Sequence, residues 1–437
     1  MNNNVTNLHP ALGTTLWERT SAPGPTLERL HGDKNADIAV IGAGVAGLST
    51  ALHLAEAGCS VAVIEAKEPG SKATGKSGGL IAPDFISHDP DEIERKFGKE
   101  WGGRLIKLVG SAARQCFDLI SAHNISCDAK QDGFWTPAHN KDFAVKLRKR
   151  AREWQNRGYS VEYFDKENTA QSLGSPRYCG AMRFTEGGSL NPLAFSRGLA
   201  DAAMRQGAAL YSRSPVTKLE RRGDRWRVIT DSGYLDAKRV VLAANGGNSA
   251  LHPEMRRTVL PLKVFEFATT AFSDENRALV LHGGGSFTDK QPYMFSARFD
   301  GAGRLIAAFP DILVSRTESQ LFKEACRRLH RHFPTVGEPS VEFLWYETAW
   351  INPSLLPKVY DLQDGVLAIQ ADNGRGLANN TVLGKEVAAF MTNGGAESLS
   401  VKLERPHQIR GYCIAKYLPS FLMTLAYLRN KNLKMGG

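Results

Sequence analysis

The 437-residue chain lacks the features that usually identify secreted, membrane-spanning and metal-stabilised proteins. No apolar run approaches the roughly 18 residues that a membrane span needs, and the longest uncharged candidate, 417–427, is soon followed by Arg429. Residues 1–15 contain neither a basic segment nor an apolar core, so no secretory signal is expected. The six cysteines lie far apart without a Cys-x-x-Cys pair, which argues against a disulfide framework or a zinc site. We therefore expect a cytoplasmic protein with no metal and no membrane span.

The chain carries an excess of positive charge. Lys and Arg number 55 against 45 Asp and Glu, which gives a formal net charge of +10. Basic residues concentrate in 146–152 and 327–331, where apolar residues are interleaved. Such interleaving is typical of a solvated helix face, so we expect no nucleic-acid partner. The positive field would instead attract an anionic cofactor.

The hydrophobic pattern predicts an α/β fold. A buried strand at 36–41, a helix at 45–58 and a second strand at 61–64 form a βαβ unit. Further along, helical patterns occupy 91–124 and 141–158. β-like runs follow within 208–244 and 263–309, and a last strand and helix lie within 365–391. This order predicts a Rossmann-like dinucleotide-binding domain, assembled from discontinuous segments and interrupted by a second domain.

The first chemical motif is Gly42-Ala43-Gly44-Val45-Ala46-Gly47, which follows the first strand and opens the helix. Gly42 permits the tight turn, Gly44 lets the backbone approach a pyrophosphate, and Gly47 allows close packing of helix on strand. Glu65 ends the next strand, where a carboxylate accepts from ribose hydroxyls. The pattern indicates a dinucleotide site at the helix N-terminus.

A second motif, Gly70 to Ser77, matches the P-loop pattern, and Gly75-x-Ser77-x-Gly79 matches a hydrolase nucleophile elbow. Both motifs require a helix directly after them. The next residues include two glycines and Pro83, which disfavour a helix. We interpret 70–79 as a flexible loop that wraps the same cofactor, and a P-loop protein remains the alternative.

A third glycine-rich segment, 373–381, lies between a strand and a helix that we place at 381–391, with Asn380 or Thr381 as its cap. The positive end of that helix would stabilise the negative charge of a reduced flavin.

The order of these motifs resembles the FAD-dependent oxidoreductases of the D-amino-acid oxidase family, most of all its gamma-glutamylputrescine oxidoreductase branch. The resemblance rests on Trp17 in the N-terminal arm, the opening 36–58, the loop 73–79, and the segments 187–192, 214–216 and 240–246. It implies an FAD-binding domain plus an α+β substrate domain with a mainly antiparallel sheet.

The domain boundaries that follow are an N-terminal arm (1–34), FAD-binding segments (35–90, 171–260 and 351–400), substrate-domain segments (91–170 and 261–350) and a C-terminal tail (401–437). The apolar and then basic stretch 413–434 of that tail is expected to pack on the cofactor domain, and contact with a membrane surface is left open.

The cofactor-binding residues that the resemblance implies follow from these segments. They are Gly42, Gly44, Val45, Ala46, Gly47, Glu65, Ala66, Thr74, Gly75, Lys76, Ser77, Gly78, Gly79, Leu80, Val216, Ala244, Asn245, Gly246, Gly374, Arg375, Gly376, Leu377 and Ala378. Relatives that attach FAD covalently use a cysteine in the region corresponding to 343–357. This chain has none there, so we expect non-covalent FAD.

Two departures from the family pattern bear on the substrate. Arg375 replaces the histidine of a Gly-His-Gly turn, so it could bind a substrate carboxylate or compensate the reduced flavin. Glu347 replaces a glycine and could pair with a cationic amine. The candidate catalytic residues are Arg375, Glu347, Trp345, Tyr346, Trp350 and Tyr293.

The resemblance implies oxidation of the C–N bond of a small amine or amino acid, gamma-glutamylputrescine-like or related. A hydride would pass to flavin N5, the imine would be hydrolysed, and dioxygen or another acceptor would take the electrons. A hydroxy-acid oxidase on the same fold and a catalytically silent flavoprotein remain as alternatives.

Overall fold

Two large sheets and the helices around them organise the chain. The computed structural model describes residues 12–291, 293–337, 340–370 and 373–432. The helices are α1 Leu16–Thr20, α2 Val45–Glu56, α3 Ala73–Lys76, α4 Pro90–Ala122, α5 Lys141–Gln155, α6 Lys166–Leu173, α7 Pro192–Arg205, α8 Asn248–Leu251, α9 Asp274–Ala278, α10 Glu318–His332, α11 Gly376–Asn393, α12 Tyr412–Ala415 and α13 Leu418–Asn432. The strands are β1 Gly32–Ile41, β2 Val61–Ile64, β3 Leu80–Ile81, β4 Phe134–Pro137, β5 Val161–Phe164, β6 Ala181–Phe184, β7 Gly188–Ser189, β8 Ala209–Tyr211, β9 Lys218–Arg222, β10 Arg225–Ile229, β11 Gly233–Leu242, β12 Leu260–Ala271, β13 Ser286–Thr288, β14 Ser296–Phe299, β15 Arg304–Pro310, β16 Val341–Ile351, β17 Lys358–Asp361, β18 Val366–Gln370 and β19 Leu403–Glu404.

The first sheet carries the dinucleotide motif. Its strands run in the order β19-β17-β18-β11-β1-β2-β8, and β9 and β10 extend from β11. The five strands from β18 to β8 are parallel. All four residues of β2 are buried, as the uninterrupted apolar run 61–64 predicts for a parallel strand covered on both faces. Helices α2 and α11 pack together against this sheet.

The second sheet is mainly antiparallel and confirms the predicted fold class. Its order is β16-β12-β15-β14-β13-β4-β6-β5, and only the β13–β4 pair is parallel. Alternation along β12 gives the sheet two different faces. Phe265 and Phe267 enter an apolar core that includes residues of α10. Ala268 lies on the other face, in a cluster with Trp17 and Trp345.

The predicted domain boundaries remain predictions, and two strands pair with a sheet other than the one that their predicted segment implies. Strand β6 pairs within the second sheet, although 171–260 was assigned to the FAD-binding domain. Strand β19 pairs with β17 of the first sheet, although it lies in the predicted tail.

Two local predictions were wrong. Helix α11 begins at Gly376 with Arg375 as its N-terminal cap, so Asn380 and Thr381 lie inside the helix. Inside it, the Thr381 hydroxyl donates to the Leu377 carbonyl at 2.8 Å. Helix α13 packs on the core of the second sheet through Met423, Ala426 and Tyr427, not on the cofactor domain.

Candidate active site

The Gly42–Gly47 turn has the geometry that a bound pyrophosphate needs. Gly42 has a φ of 108°, in the left-handed region that favours glycine. A Cβ on Gly47 would collide with the Gly42 carbonyl, so this helix start can approach the turn only as glycine. Gly44 caps α2 without a side-chain hydrogen bond, and a Cβ there would lie 3.1 Å from Thr74 Oγ1. The Val45 amide is 3.4 Å from the same hydroxyl, so Val45 and Ala46 leave the positive helix end next to loop 73–79.

Glu65 lies at the carboxyl end of β2, beside this turn. One carboxylate oxygen accepts from the Ala43 amide and the other from the Lys67 amide, both at 2.8 Å. Burial raises the pKa of Glu65 despite these donors. A cavity of about 370 Å³ opens just after it, lined by Ala66, Lys67, Pro215 and neighbouring residues. Val216, half-buried, packs on the core of the first sheet.

The loop 73–79 connects the turn to the second sheet. Its first part is the single-turn helix α3, and after Ser77 the chain continues into β3 rather than a helix. The helix that a P-loop or a nucleophile elbow requires is therefore missing at this position of the described chain. Two indoles hold the loop: Trp17 Nε1 donates to the Ser77 carbonyl at 2.9 Å, and Trp345 Nε1 donates to the Lys76 carbonyl at 2.8 Å.

The predicted residues Lys76 and Glu347 face each other. Lys76 Nζ lies 3.7 Å from Glu347 Oε2, and both side chains remain partly exposed. Glu347 Oε1 also accepts from the Thr348 amide at 3.0 Å. Strand β16 thus places Trp345 and Glu347 on one face, directly against the cofactor loop.

Two further predicted segments meet at Trp350. Its ring covers Gly246, where a Cβ would collide with the indole, so the turn Ala244–Gly246 packs directly against β16. The Trp350 carbonyl accepts from the Asn373 amide at 3.2 Å, which ties the segment before Gly374 to the same strand.

The N-terminus of α11 completes the group of predicted cofactor-binding segments. Gly374 has a φ of 77°, which turns the chain into Arg375, Gly376, Leu377 and Ala378. Two carboxamide oxygens in the first turns of α11, on Asn379 and Asn380, are buried without a hydrogen-bond partner among the described residues.

These observations fit FAD. The glycine turn leaves room only for backbone, Glu65 stands where a ribose would bind, and unpartnered polar atoms lie at the start of α11. The segments 42–47, 65–66, 74–80, 244–246 and 374–378 are the ones that would hold the cofactor.

Asp84 forms the centre of a buried charge cluster that the sequence analysis missed. Its side chain is fully buried, and its Oδ2 lies 3.1 Å from Lys290 Nζ and 3.3 Å from Arg150 Nη1. Arg150 pairs in addition with Asp89. Arg375 reaches the Asp84 carbonyl at 3.4 Å and stacks on the Phe134 ring at 5.2 Å.

Burial and neighbouring charges shift the pKa values of the residues in this cluster. Burial alone would raise the pKa of Asp84, but Lys290, Arg150 and Arg375 outweigh it and lower the pKa. Burial lowers the pKa of Lys290 to about 7, and it also lowers the pKa of Arg375. Because Arg150 is buried in this cluster, the prediction that the basic run 146–152 forms a solvated face is wrong at this residue.

A second missed group lies under the loop. Glu266, on β12 opposite Trp345, is buried, and its Oε2 has no hydrogen-bond partner among the described residues. That oxygen lies 3.3 Å from the position that a Cβ on Gly78 would take. Burial raises the pKa of Glu266 to about 8 against the effects of the Gly78 amide and Arg298. Arg298 donates to the Gly78 carbonyl at 2.6 Å and to the Leu190 carbonyl at 2.7 Å.

Two candidate catalytic residues, Tyr346 and Tyr293, do not lie with the other predicted site residues. Tyr346 points to the opposite face of the second sheet, where it contacts Phe265 and Lys263 and is 43% exposed. Tyr293 is buried in the core beside α10, with the Arg328 guanidinium 4.4 Å from its ring. We therefore leave both residues out of the proposed site.

Comparison with known proteins identifies the family. Residues 37–390 match the family model DAO, described as FAD dependent oxidoreductase. The chain is 27% identical to the probable oxidoreductase OrdL of Rhizobium meliloti (85% of this chain, 87% of that protein). It is 25% identical to the gamma-glutamylputrescine oxidoreductase of Escherichia coli (87% and 89%). The crystal structure of glycine oxidase from Geobacillus kaustophilus superposes with a TM-score of 0.71 at 18% identity (86% and 100%). With the matched region covering most of its length, the chain belongs to the DAO family of FAD-dependent oxidoreductases.

Proposed function

We propose that this enzyme oxidises the C–N bond of an amine that carries a carboxylate, such as an amino acid or a gamma-glutamyl amine. The observation that carries the proposal is the charge imbalance around Asp84. Two permanently charged guanidinium groups, Arg150 and Arg375, and the partly charged Lys290 face two carboxylates, Asp84 and Asp89. A buried cation that lacks a counter-charge is costly, and a substrate carboxylate would supply the missing charge.

Arg375 is the residue best suited to receive that carboxylate. Its contacts, a carbonyl at 3.4 Å and the Phe134 ring, use little of the five-donor guanidinium. A planar guanidinium binds a carboxylate through two parallel hydrogen bonds. Lys290 can strengthen the binding, because an added negative charge nearby favours its protonated form.

FAD is the redox cofactor of this family, and when bound it accepts the two electrons that leave the carbon next to the nitrogen. The chain's own part is to hold the substrate and to manage protons. A protonated amine has no lone pair to assist oxidation, so the site benefits from a group that takes a proton near neutral pH. Glu266 has a pKa raised to about 8 and an Oε2 without a hydrogen-bond partner among the described residues, and in its ionised form it is the residue that we assign to this task.

Similar proteins support the same substrate class. One curated relative is named for gamma-glutamylputrescine, and structural neighbours include a glycine oxidase and an iminodiacetate oxidase. The names of all three relatives refer to compounds in which an amine nitrogen and a carboxylate occur together.

The test is an anaerobic titration of the flavin's visible band with matched pairs of compounds, each an amine with and without a carboxylate. We expect bleaching by the carboxylate-bearing member, and loss of about 10²-fold in its kcat/KM on changing Arg375→Ala, as for a charge-assisted hydrogen bond. Arg183→Ala is the matched control, since Arg183 also stacks on an aromatic ring of β4, at 5.0 Å, and donates to a backbone carbonyl.

The outcomes separate the alternatives. If no amine bleaches the band and a hydroxy acid does, the assignment to C–N oxidation fails. If Arg375→Ala slows both members of a pair equally, Arg375 acts on the reduced flavin and the carboxylate subsite is wrong.

A further inference from the structure

The C-terminal helices carry an exposed apolar surface that the proposed function does not use. We call it the C-terminal stripe. It consists of Ile414, Tyr417, Leu418, Phe421, Leu422, Leu425 and Leu428. Each of these side chains is between 38% and 78% exposed. Leu418, Phe421, Leu422, Leu425 and Leu428 follow helical spacing along one side of α13, and Ile414 of α12 and Tyr417 between the two helices precede them. A run of seven exposed apolar side chains on one surface marks an interaction site in folded proteins.

The position of the stripe is fixed by the other side of the same helix. Met423, Ala426 and Tyr427 pack into the core of the second sheet, with Tyr427 5.4 Å from the Tyr293 ring. The Thr424 hydroxyl accepts from the Leu313 amide at 2.9 Å. Leu313 and its neighbour Val314, 49% and 58% exposed, therefore extend the apolar surface beside the helix. A helix that is apolar all round is normally covered on every side, whereas α13 is covered by described residues on one side only.

The charge around the stripe points to the chemistry of its partner. From Arg405 to Gly437 the sequence holds six Lys and Arg and no Asp or Glu. Arg405 pairs with Glu254, while the salt bridges of the described residues include none of Arg410, Lys416 and Arg429. Lys416 lies at the start of the stripe and Arg429 at its end. Cations that flank an exposed apolar face are the arrangement by which a helix lies flat on an anionic membrane surface.

We infer that the C-terminal stripe docks the enzyme on the surface of a bilayer that contains anionic phospholipids. The apolar side chains would enter the boundary between headgroups and acyl chains, and Arg410, Lys416 and Arg429 would contact the phosphates. No helix among the described residues is long and apolar enough to cross the bilayer, so the attachment is peripheral. A protein partner would need a strongly acidic rim to match these cations, whereas an anionic bilayer presents such charge uniformly.

The experiment measures sedimentation of the FAD-loaded enzyme with vesicles of phosphatidylcholine, with or without phosphatidylglycerol. We expect binding to the mixed vesicles, weakened by added salt because surface charge is screened. Phe421→Glu should reduce the partition coefficient at least about tenfold, since it places a charge in the apolar layer. Val145→Glu is the matched control, because Val145 is 71% exposed on α5, outside the stripe.

Charge reversal provides an independent test. Lys416→Glu combined with Arg429→Glu should abolish the preference for phosphatidylglycerol, whereas Lys146→Glu with Arg152→Glu, an equal charge change on α5, should not. Flavin content and thermal unfolding of each variant show that it is folded.

Three results would overturn the inference. The first is equal sedimentation of wild type and Phe421→Glu, and the second is no sedimentation of wild type with the mixed vesicles. The third is a wild-type dimer, seen by light scattering, that Phe421→Glu converts to monomer, because the stripe would then be a contact between two copies of the chain.

Discussion

Glu266 is a single buried carboxyl whose protonation affects stability and, in the proposed function, proton transfer from the substrate. Its pKa is raised from an ordinary 4.5 to about 8 because burial disfavours the charged form. Between those two values the folded protein holds a proton that the unfolded chain has lost. The free energy of unfolding therefore falls as the pH rises through this window, by about 1.4 kcal/mol per pH unit, and stays lower above it.

Glu266→Gln should remove this dependence, since an amide stays neutral at every pH. We expect the variant to be as stable as wild type near pH 4 and more stable than wild type at pH 9. Urea unfolding at the two pH values measures the difference. Glu342→Gln, a 40% exposed carboxyl on β16, is the control and should not reproduce the gain. Equal pH dependence in Glu266→Gln and wild type would remove Glu266 as the titrating group.

At the scale of elements, the loop 73–79 is the piece that joins the glycine turn of the first sheet to the second sheet. It touches the dinucleotide turn through Thr74, the second sheet through Lys76, and the N-terminal arm through Ser77. The two indole donors that hold it come from α1 and β16, far apart in the chain. We expect the order of the loop, and with it the affinity for FAD, to depend on these distant residues.

Trp17→Phe should weaken FAD binding about tenfold. Phenylalanine keeps an aromatic ring against Trp345 but leaves the Ser77 carbonyl without its donor, a loss of about 1–3 kcal/mol. Titration of the apoprotein with FAD, followed by flavin fluorescence, gives the affinity. Trp226→Phe is matched, because Trp226 Nε1 donates to the Asp364 carbonyl at the same 2.9 Å but lies away from the loop. If both variants bind FAD as wild type does, the indole does not order the loop.

The elements also show where sequence reasoning succeeds. The run from β1 through α2 to β2 was predicted within a few residues, because buried parallel strands and a glycine turn leave strong local signals. The start of α11 was misplaced by five residues, since Arg375 caps the helix with its backbone alone and no side chain signals it. Glu266 was missed because one polar residue in the apolar run of β12 carries no spacing pattern.

At the scale of the whole molecule, the site is a meeting of distant segments. Asp84, Arg150, Lys290 and Arg375 come from four regions of the chain, separated by 66 to 291 positions from Asp84. No local sequence motif can predict such a cluster, because only the tertiary fold brings its members together. The basic run 146–152 therefore looked like a solvated surface, although Arg150 balances a buried carboxylate.

The predicted FAD contacts likewise come from segments that are far apart in the chain. These contacts follow the carboxyl ends of β1, β2, β11 and β18 in the first sheet and include the loop that rests on the second sheet, so binding should stabilise the molecule as one unit. A ligand at a hundredfold excess over its Kd adds about 2.7 kcal/mol to the free energy of unfolding. We expect the thermal midpoint of the apoprotein to rise with FAD concentration, as calorimetry would show.

Gly44→Val should abolish that rise while leaving the apoprotein folded. Gly44 is not in the left-handed region, and a Cβ there meets only Thr74 Oγ1, at 3.1 Å, so the substitution needs little backbone change. The added isopropyl group would nevertheless occupy the space through which a pyrophosphate approaches the start of α2. Gly103→Val, at a glycine of α4 whose Cβ would meet no atom within 4 Å, is the control and should keep the FAD-dependent shift. A full shift in Gly44→Val would place the cofactor away from this turn and contradict the site described here.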